Sequence, residues 1–73
     1  MYNIYSIEHC HFCQELVDLL ELHDIPFKQF KVSKDYWKTL ANQTNNKKTF
    51  PIVFHNNTFV GGYTEMVNIF IDQ

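Results

Sequence analysis

Over the first 32 residues the spacing of apolar positions changes twice, from alternation to a three- and four-residue repeat and back again. "YNIYSI", residues 2–7, alternates around Ile4 and is rich in β-formers, which predicts a short strand. From Cys13 to about His23, Leu16, Val17, Leu19 and Leu20 recur at helical spacing, joined by Phe12 just ahead, while Glu15, Asp18 and Glu21 take other faces. An amphipathic helix is expected there. "DIPF" ends it, because Pro26 has no N–H to donate and biases Ile25 towards extended geometry. "FKQFKV", residues 27–32, alternates as a second strand. Ser33 is the expected N-cap of a second helix, with Asp35 in its first turn and Tyr36, Trp37, Leu40 and Ala41 as its apolar stripe. The polar "NQTNNKK" closes that helix. "PIVFHNNTFVGG" pairs two apolar runs around His55-Asn56-Asn57 and predicts a hairpin, since Asn tolerates the left-handed geometry of tight turns. "YTEMVNIFIDQ" sets Met66, Ile69 and Phe70 on one face of a third helix.

The element order is βαβαββα. A strand, helix and strand inside 32 residues favour a parallel pair joined by a right-handed crossover, and the hairpin adds antiparallel strands. The fold class is therefore α/β, a mixed four-stranded sheet flanked by three helices. In such a sheet the strand-end loops and the helix starts that follow them gather at one edge, and the first of those loops is "EHCHFC".

Composition narrows the function. The 73 residues read as a single domain over 1–73, too small to bury much more than roughly 60% of its unfolded surface, so its core must use large side chains. Seven Phe, four Tyr and one Trp supply them. Six basic against eight acidic residues leave a net charge of −2, with no basic run longer than Lys47-Lys48, which speaks against nucleic acid and anionic membranes as partners. The chain shows neither a basic stretch leading into a long apolar run nor about 20 consecutive apolar residues. A cytoplasmic monomer acting on small molecules or proteins is expected. Two cysteines are too few for a disulfide-stapled scaffold, and a close pair in a reducing compartment is more often catalytic or metal-binding.

Cys10 falls at the strand-to-helix junction, where free backbone N–H groups and the positive end of the helix dipole favour an anion. A thiolate is such an anion. A free thiol has a pKa of about 8.5, which falls to roughly 3.5–7.5 at helix N-termini, near cations, or in a pair with two residues between the cysteines. Cys10 is thus the expected nucleophile and Cys13, one turn inside the helix and within disulfide reach, the resolving thiol. His11, and His9 beside it, would tune the Cys10 pKa downward when protonated, while Glu8 and Glu15 act the other way. Zinc is the sharper rival, because His9, Cys10, His11 and Cys13 are four competent ligands, although structural zinc sites usually draw on two separated segments. Phe12 reads either as packing at the helix start or as an aromatic wall against a ligand. His23 and His55 read as surface residues.

With these residues in view, the chain resembles a glutaredoxin over almost its whole length. "CHFC" at Cys10 to Cys13 matches the family's dithiol motif, "TFP" at Thr49 to Pro51 its Thr-X-Pro segment, and Gly61-Gly62 in "VGGYTEM" its glycine pair before the last helix. The resemblance, closest to the compact glutaredoxins of bacteria and their viruses, implies a thioredoxin-like fold and a glutathione-dependent oxidoreductase acting on protein disulfides and glutathione mixed disulfides. Which protein substrate it serves is not written in the sequence, and ribonucleotide reductase is one candidate that the resemblance offers. Pro51 would be cis, where the residues alone favour an ordinary trans proline opening a strand. Phe50 would then offer its backbone to the cysteine of glutathione. The helix start at Gly62, Tyr63 and Thr64 would hold the γ-glutamyl carboxylate. Phe12, Lys48, Thr49, Phe50, Pro51, Gly62, Tyr63 and Thr64 form the implied glutathione site, with no metal. Three departures stand out: His11 and Phe12 replace the usual Pro and Tyr of "CPYC", and Ile7 stands where many relatives have a lysine, leaving Lys47 or Lys48 to supply that charge. Two alternatives share the cysteines: a redoxin reduced by thioredoxin reductase, and an iron–sulfur or metal carrier.

Overall fold

The structure is a computed structural model and describes residues 1–71; Asp72 and Gln73, assigned on sequence to the third helix, lie outside the described residues. Strand β1 (Tyr2–Ser6) leads into helix α1 (His11–Leu22), followed by β2 (Phe27–Lys31), a 3₁₀ turn (Lys34–Tyr36), α2 (Trp37–Thr44), β3 (Ile52–His55), β4 (Thr58–Gly61) and α3 (Tyr63–Ile71). The sheet runs β2-β1-β3-β4, with β1 and β2 parallel and the other pairs antiparallel. Helix α1 is the crossover of the parallel pair. β2 and β4 are the edges.

Period-two alternation sorts the core into two layers. Ile4 and Val53 point to one face and meet Leu16 and Leu20 of α1 and Met66 of α3, all fully buried. Ile52 and Phe54, neighbours of Val53 in the same strand, point to the other face and meet Leu40 of α2, with Tyr5, Tyr36, Trp37 and Phe59 around them. Truncating one of the buried leucines of α1 to alanine would cost about 2–5 kcal/mol. Both α1 and α3 therefore lie on the same side of the sheet, which brings their starts together.

Local signals fix where the elements end. Helix α1 stops before Pro26 is reached: Asp24 adopts left-handed backbone (φ 55°), its N–H bonds the Glu21 carbonyl and the Ile25 N–H bonds that of Leu20. That pair of bonds is a Schellman end, with Ile25 folding back onto the core. Helix α2 runs to Thr44, into the polar segment expected to terminate it, because the left-handed residues that stop it are Asn45 and Asn46. Its start also differs. Ser33 caps a 3₁₀ turn, without a side-chain bond, and the α-helix proper begins at Trp37. In the hairpin His55 belongs to β3 and the turn is Asn56-Asn57 alone, both at positive φ as a two-residue turn requires. Among the described residues no helix is long and apolar enough to cross a membrane.

Candidate active site

Cys10 is the N-cap of α1. Its backbone is extended (φ −104°, ψ 104°) and its Sγ accepts the Cys13 backbone N–H at 3.2 Å, so sulfur stands where a Ser or Asp oxygen caps other helices. Negative charge arising on that sulfur meets an N–H and the positive end of the helix. Cys13 is 2% exposed whereas Cys10 is half-buried, and the two are joined as a disulfide with Cα atoms 5.2 Å apart. Cys10 is thus the more accessible residue of the pair. The peptide bond before Pro51 is cis, and the Phe50 carbonyl oxygen lies 3.9 Å from Cys10 Sγ. With the sulfur in a disulfide this is a contact, there being no S–H to donate.

Two cavities flank the pair. The first, of about 450 Å³, is lined by Phe12, Lys47, Thr49, Phe50, Pro51, Tyr63, Thr64 and Glu65. It collects the loop before β3 and the start of α3 beside the exposed ring of Phe12, which packs on Tyr63 at 5.2 Å. The second, of about 350 Å³, lies towards β2 and is lined by Ile7, His9, Cys10, His11, Cys13, Gln14, Gln29 and Lys31.

The first cavity contains six of the eight residues expected to hold a ligand; Gly62 and Lys48 do not line it. The Lys48 ammonium sits instead 5.3 Å from the Trp37 ring centroid, a cation–π position. Lys47 lines the cavity in its place and donates from Nζ to Thr49 Oγ1 at 2.9 Å. Gly62 is the N-cap of α3, since its carbonyl accepts the Met66 N–H. Having no side chain, it leaves the first N–H groups of the helix uncapped. Glu65 reaches back instead, its Oε1 accepting the Gly62 N–H at 2.6 Å. That bond, opposed by burial but helped by the Glu65 N–H and the charge of Lys47, holds the Glu65 carboxyl below its ordinary pKa. The Tyr63 hydroxyl is shifted up, by burial first and then by the hydrogen bond to and charge of Glu15. Glu15 also pairs with His11 (Nε2 to Oε1 3.0 Å), whose side chain is 79% exposed. His11 thus borders the second cavity and is tied to a carboxylate. Outside the site, His55 stacks on Tyr2 and His23 on Phe70. Among the described residues, no group of three or more His, Cys, Asp or Glu is arranged to hold a metal ion.

A protein-family model described as Glutaredoxin matches residues 3–60, most of the chain. The chain belongs to the glutaredoxin family. Solved structures agree at the level of fold. The buckwheat glutaredoxin–glutathione complex superposes with a TM-score of 0.86 at 17% identity, covering 97% of this chain and 68% of that one. The holo form of glutaredoxin C1 from Populus tremula x tremuloides gives 0.87 at 22%, covering 99% and 75%. Glutaredoxin 1 from Francisella tularensis, complexed with cacodylate, gives 0.80 at 17%, covering 99% and 96%. No curated protein sequence matches the chain.

In this glutaredoxin Glu65 escaped sequence reasoning, and the choice between Lys47 and Lys48 was left open by it. Glu65 carried a usable signal, an acid three residues after an N-cap, which is half of a capping box. Lys47 and Lys48 are adjacent and alike in composition, and only the direction of the chain entering Thr49 separates them. Gln29 and Lys31 of the second cavity gave no local signal, because the parallel pairing of β2 with β1 brings them to the cysteines.

Proposed function

We propose that this chain is a glutathione-dependent thiol–disulfide oxidoreductase working through Cys10 and Cys13 in a reducing compartment such as the cytoplasm. The observation that carries the reading is the redox pair at the N-cap of α1 beside a cavity walled by the Phe50 backbone and the uncapped start of α3. Glutathione, an extended peptide with a carboxylate at each end, is complementary to such walls: strand-like pairing on Phe50 for its cysteine, N–H groups of Tyr63 and Thr64 for its γ-glutamyl carboxylate, and Phe12 along its length. The Lys47 ammonium supplies positive charge. That a buckwheat relative of the same fold was solved as a glutathione complex supports the choice of ligand.

In the reaction the Cys10 thiolate attacks the glutathione sulfur of a mixed disulfide, the old S–S bond breaks, and the substrate leaves as a thiolate that takes a proton from water. A second glutathione thiolate then attacks the Cys10-bound glutathione, releasing oxidised glutathione and restoring the Cys10 thiolate. With a protein disulfide, Cys13 displaces the substrate from Cys10 and closes the disulfide seen here, and two glutathione molecules reduce it. The test is consumption of NADPH in a mixture of the chain, glutathione, glutathione reductase and hydroxyethyl disulfide. A rate proportional to the amount of chain is expected. No rate above the uncatalysed reaction overturns the glutathione reading, and turnover with thioredoxin reductase in place of glutathione would redirect it.

A further inference from the structure

The proposed glutathione cavity lies on the α3 side, yet the cysteine pair itself lines the cavity towards β2. Cys10 and Cys13 both line that cavity, and neither lines the first. Its wall is chemically one-sided. Lys31, His9 and His11 bring a cation and two imidazoles, Gln14 and Gln29 bring amides, and no lining residue is a carboxylate. The amides are already engaged, Gln14 Nε2 donating to Asp18 Oδ1 at 2.9 Å and Gln29 Nε2 to the buried Ser6 hydroxyl at 3.0 Å. His11 is held by Glu15. That leaves Lys31, exposed at the end of the edge strand and without a carboxylate within 4.0 Å among the described residues, as the free charge of the wall. On a chain whose net charge is −2, the lining beside the cysteines thus carries one cation and no carboxylate of its own.

We infer that the β2-side cavity is the docking site for an acidic segment flanking the target cysteine of a protein substrate, with Lys31 as its specificity-determining residue. This rests on the oxidoreductase reading and adds the substrate class to it. A polypeptide whose cysteine sits on Cys10 continues on both sides of that sulfur, so one flank lies along Phe50 and the other crosses towards β2. Glutathione, with a single residue on each side of its sulfur, is accommodated by the first cavity. Attraction through Lys31 is solvent-exposed and salt-screened, so the expected preference is modest, roughly two- to fivefold in kcat/KM at low ionic strength.

The experiment uses two disulfide-linked peptides of equal length, one carrying Asp and Glu beside the reacting cysteine and the other Asn and Gln. The acidic peptide should be reduced faster, the advantage should vanish in 0.5 M salt, and Lys31→Glu should reverse it while leaving hydroxyethyl disulfide turnover with glutathione unchanged. A third measurement is independent of catalysis: the acidic peptide with its cysteine replaced by serine should shift the amide resonances of Gln29 and Lys31 in the wild-type chain and leave them unmoved in Lys31→Glu. Equal rates for the two peptides, a preference surviving in Lys31→Glu, or an equal loss of glutathione turnover in that variant overturns the proposal. If no substrate turns over yet the serine peptide shifts those resonances, the docking site stands and the oxidoreductase reading falls. Absence of both overturns both.

Discussion

Helices α1 and α3 start side by side at the same end of the sheet, and they treat their free N–H groups in opposite ways. At α1 the N-cap is Cys10, whose own sulfur accepts the Cys13 N–H, so the helix field is spent on an atom of the chain that changes charge during catalysis. At α3 the N-cap is Gly62, which offers nothing, and the Glu65 carboxylate takes the N–H of the cap residue and its own, leaving those of Tyr63 and Thr64. On the proposed reading, one start steadies the sulfur when it becomes an anion and the other receives the anionic end of a ligand, so that a single edge of a small sheet serves both tasks.

Removing the resident sulfur breaks this contrast most severely. Cys10→Ser should lose reduction of glutathione mixed disulfides and of protein disulfides alike, by on the order of a hundredfold or more, because Cys13 is buried and lies a turn further from the helix end. Cys13→Ser should keep much of the first activity and lose most of the second, since only the dithiol route needs an internal resolving thiol. Circular dichroism would show that both variants stay folded. Persistence of activity in Cys10→Ser with loss in Cys13→Ser would exchange the two roles.

The approach to α3 is the next point to break. Gly61 has φ 141°, and a Cβ there would come within 2.5 Å of Glu65 Cγ. Gly61→Ala should destabilise the fold by about 1–3 kcal/mol through backbone strain, and it should also push the Glu65 side chain off the cap. A lower urea midpoint with an unchanged slope would show it. An unchanged midpoint would mean that the turn into α3 relaxes freely.

Glu65→Gln sharpens the comparison at the smallest scale. The carboxyl is held below its ordinary value of 4.5 by the Gly62 N–H, so it stabilises the fold when ionised. Since the folded pKa is the lower one, that stability is fully present above the ordinary value and is lost as the pH falls through the folded value. Wild type should exceed Glu65→Gln by about 0.3–1 kcal/mol at pH 7, a small effect because the side chain is exposed. The gap should narrow as the pH falls below the ordinary value. A gap independent of pH would assign the difference to packing.

Much of this molecule was legible in one dimension. Alternation around Ile4, the helical repeat of Leu16, Val17 and Leu20, and the Asn56-Asn57 turn are local rules acting through backbone geometry, and they fix the order βαβαββα and place Cys10 at a helix start. The helix ends were less legible. Asp24 stops α1 by adopting a left-handed conformation that a proline two residues later obscures, and α2 extends into polar residues because burial of Leu40 and Thr44 outweighs their weak local preference. The site was legible wherever its parts are sequence motifs, as with "CHFC", "TFP" and the glycine pair. Tertiary structure alone decided the rest. The parallel register that sets Gln29 opposite Ile4 carries Lys31 to the cysteines, and the loop before the cis bond turns Lys47 into one cavity and Lys48 onto Trp37. The physical reason is that the charge of a side chain is written in the sequence, whereas the direction in which it is presented depends on contacts between residues far apart in the chain.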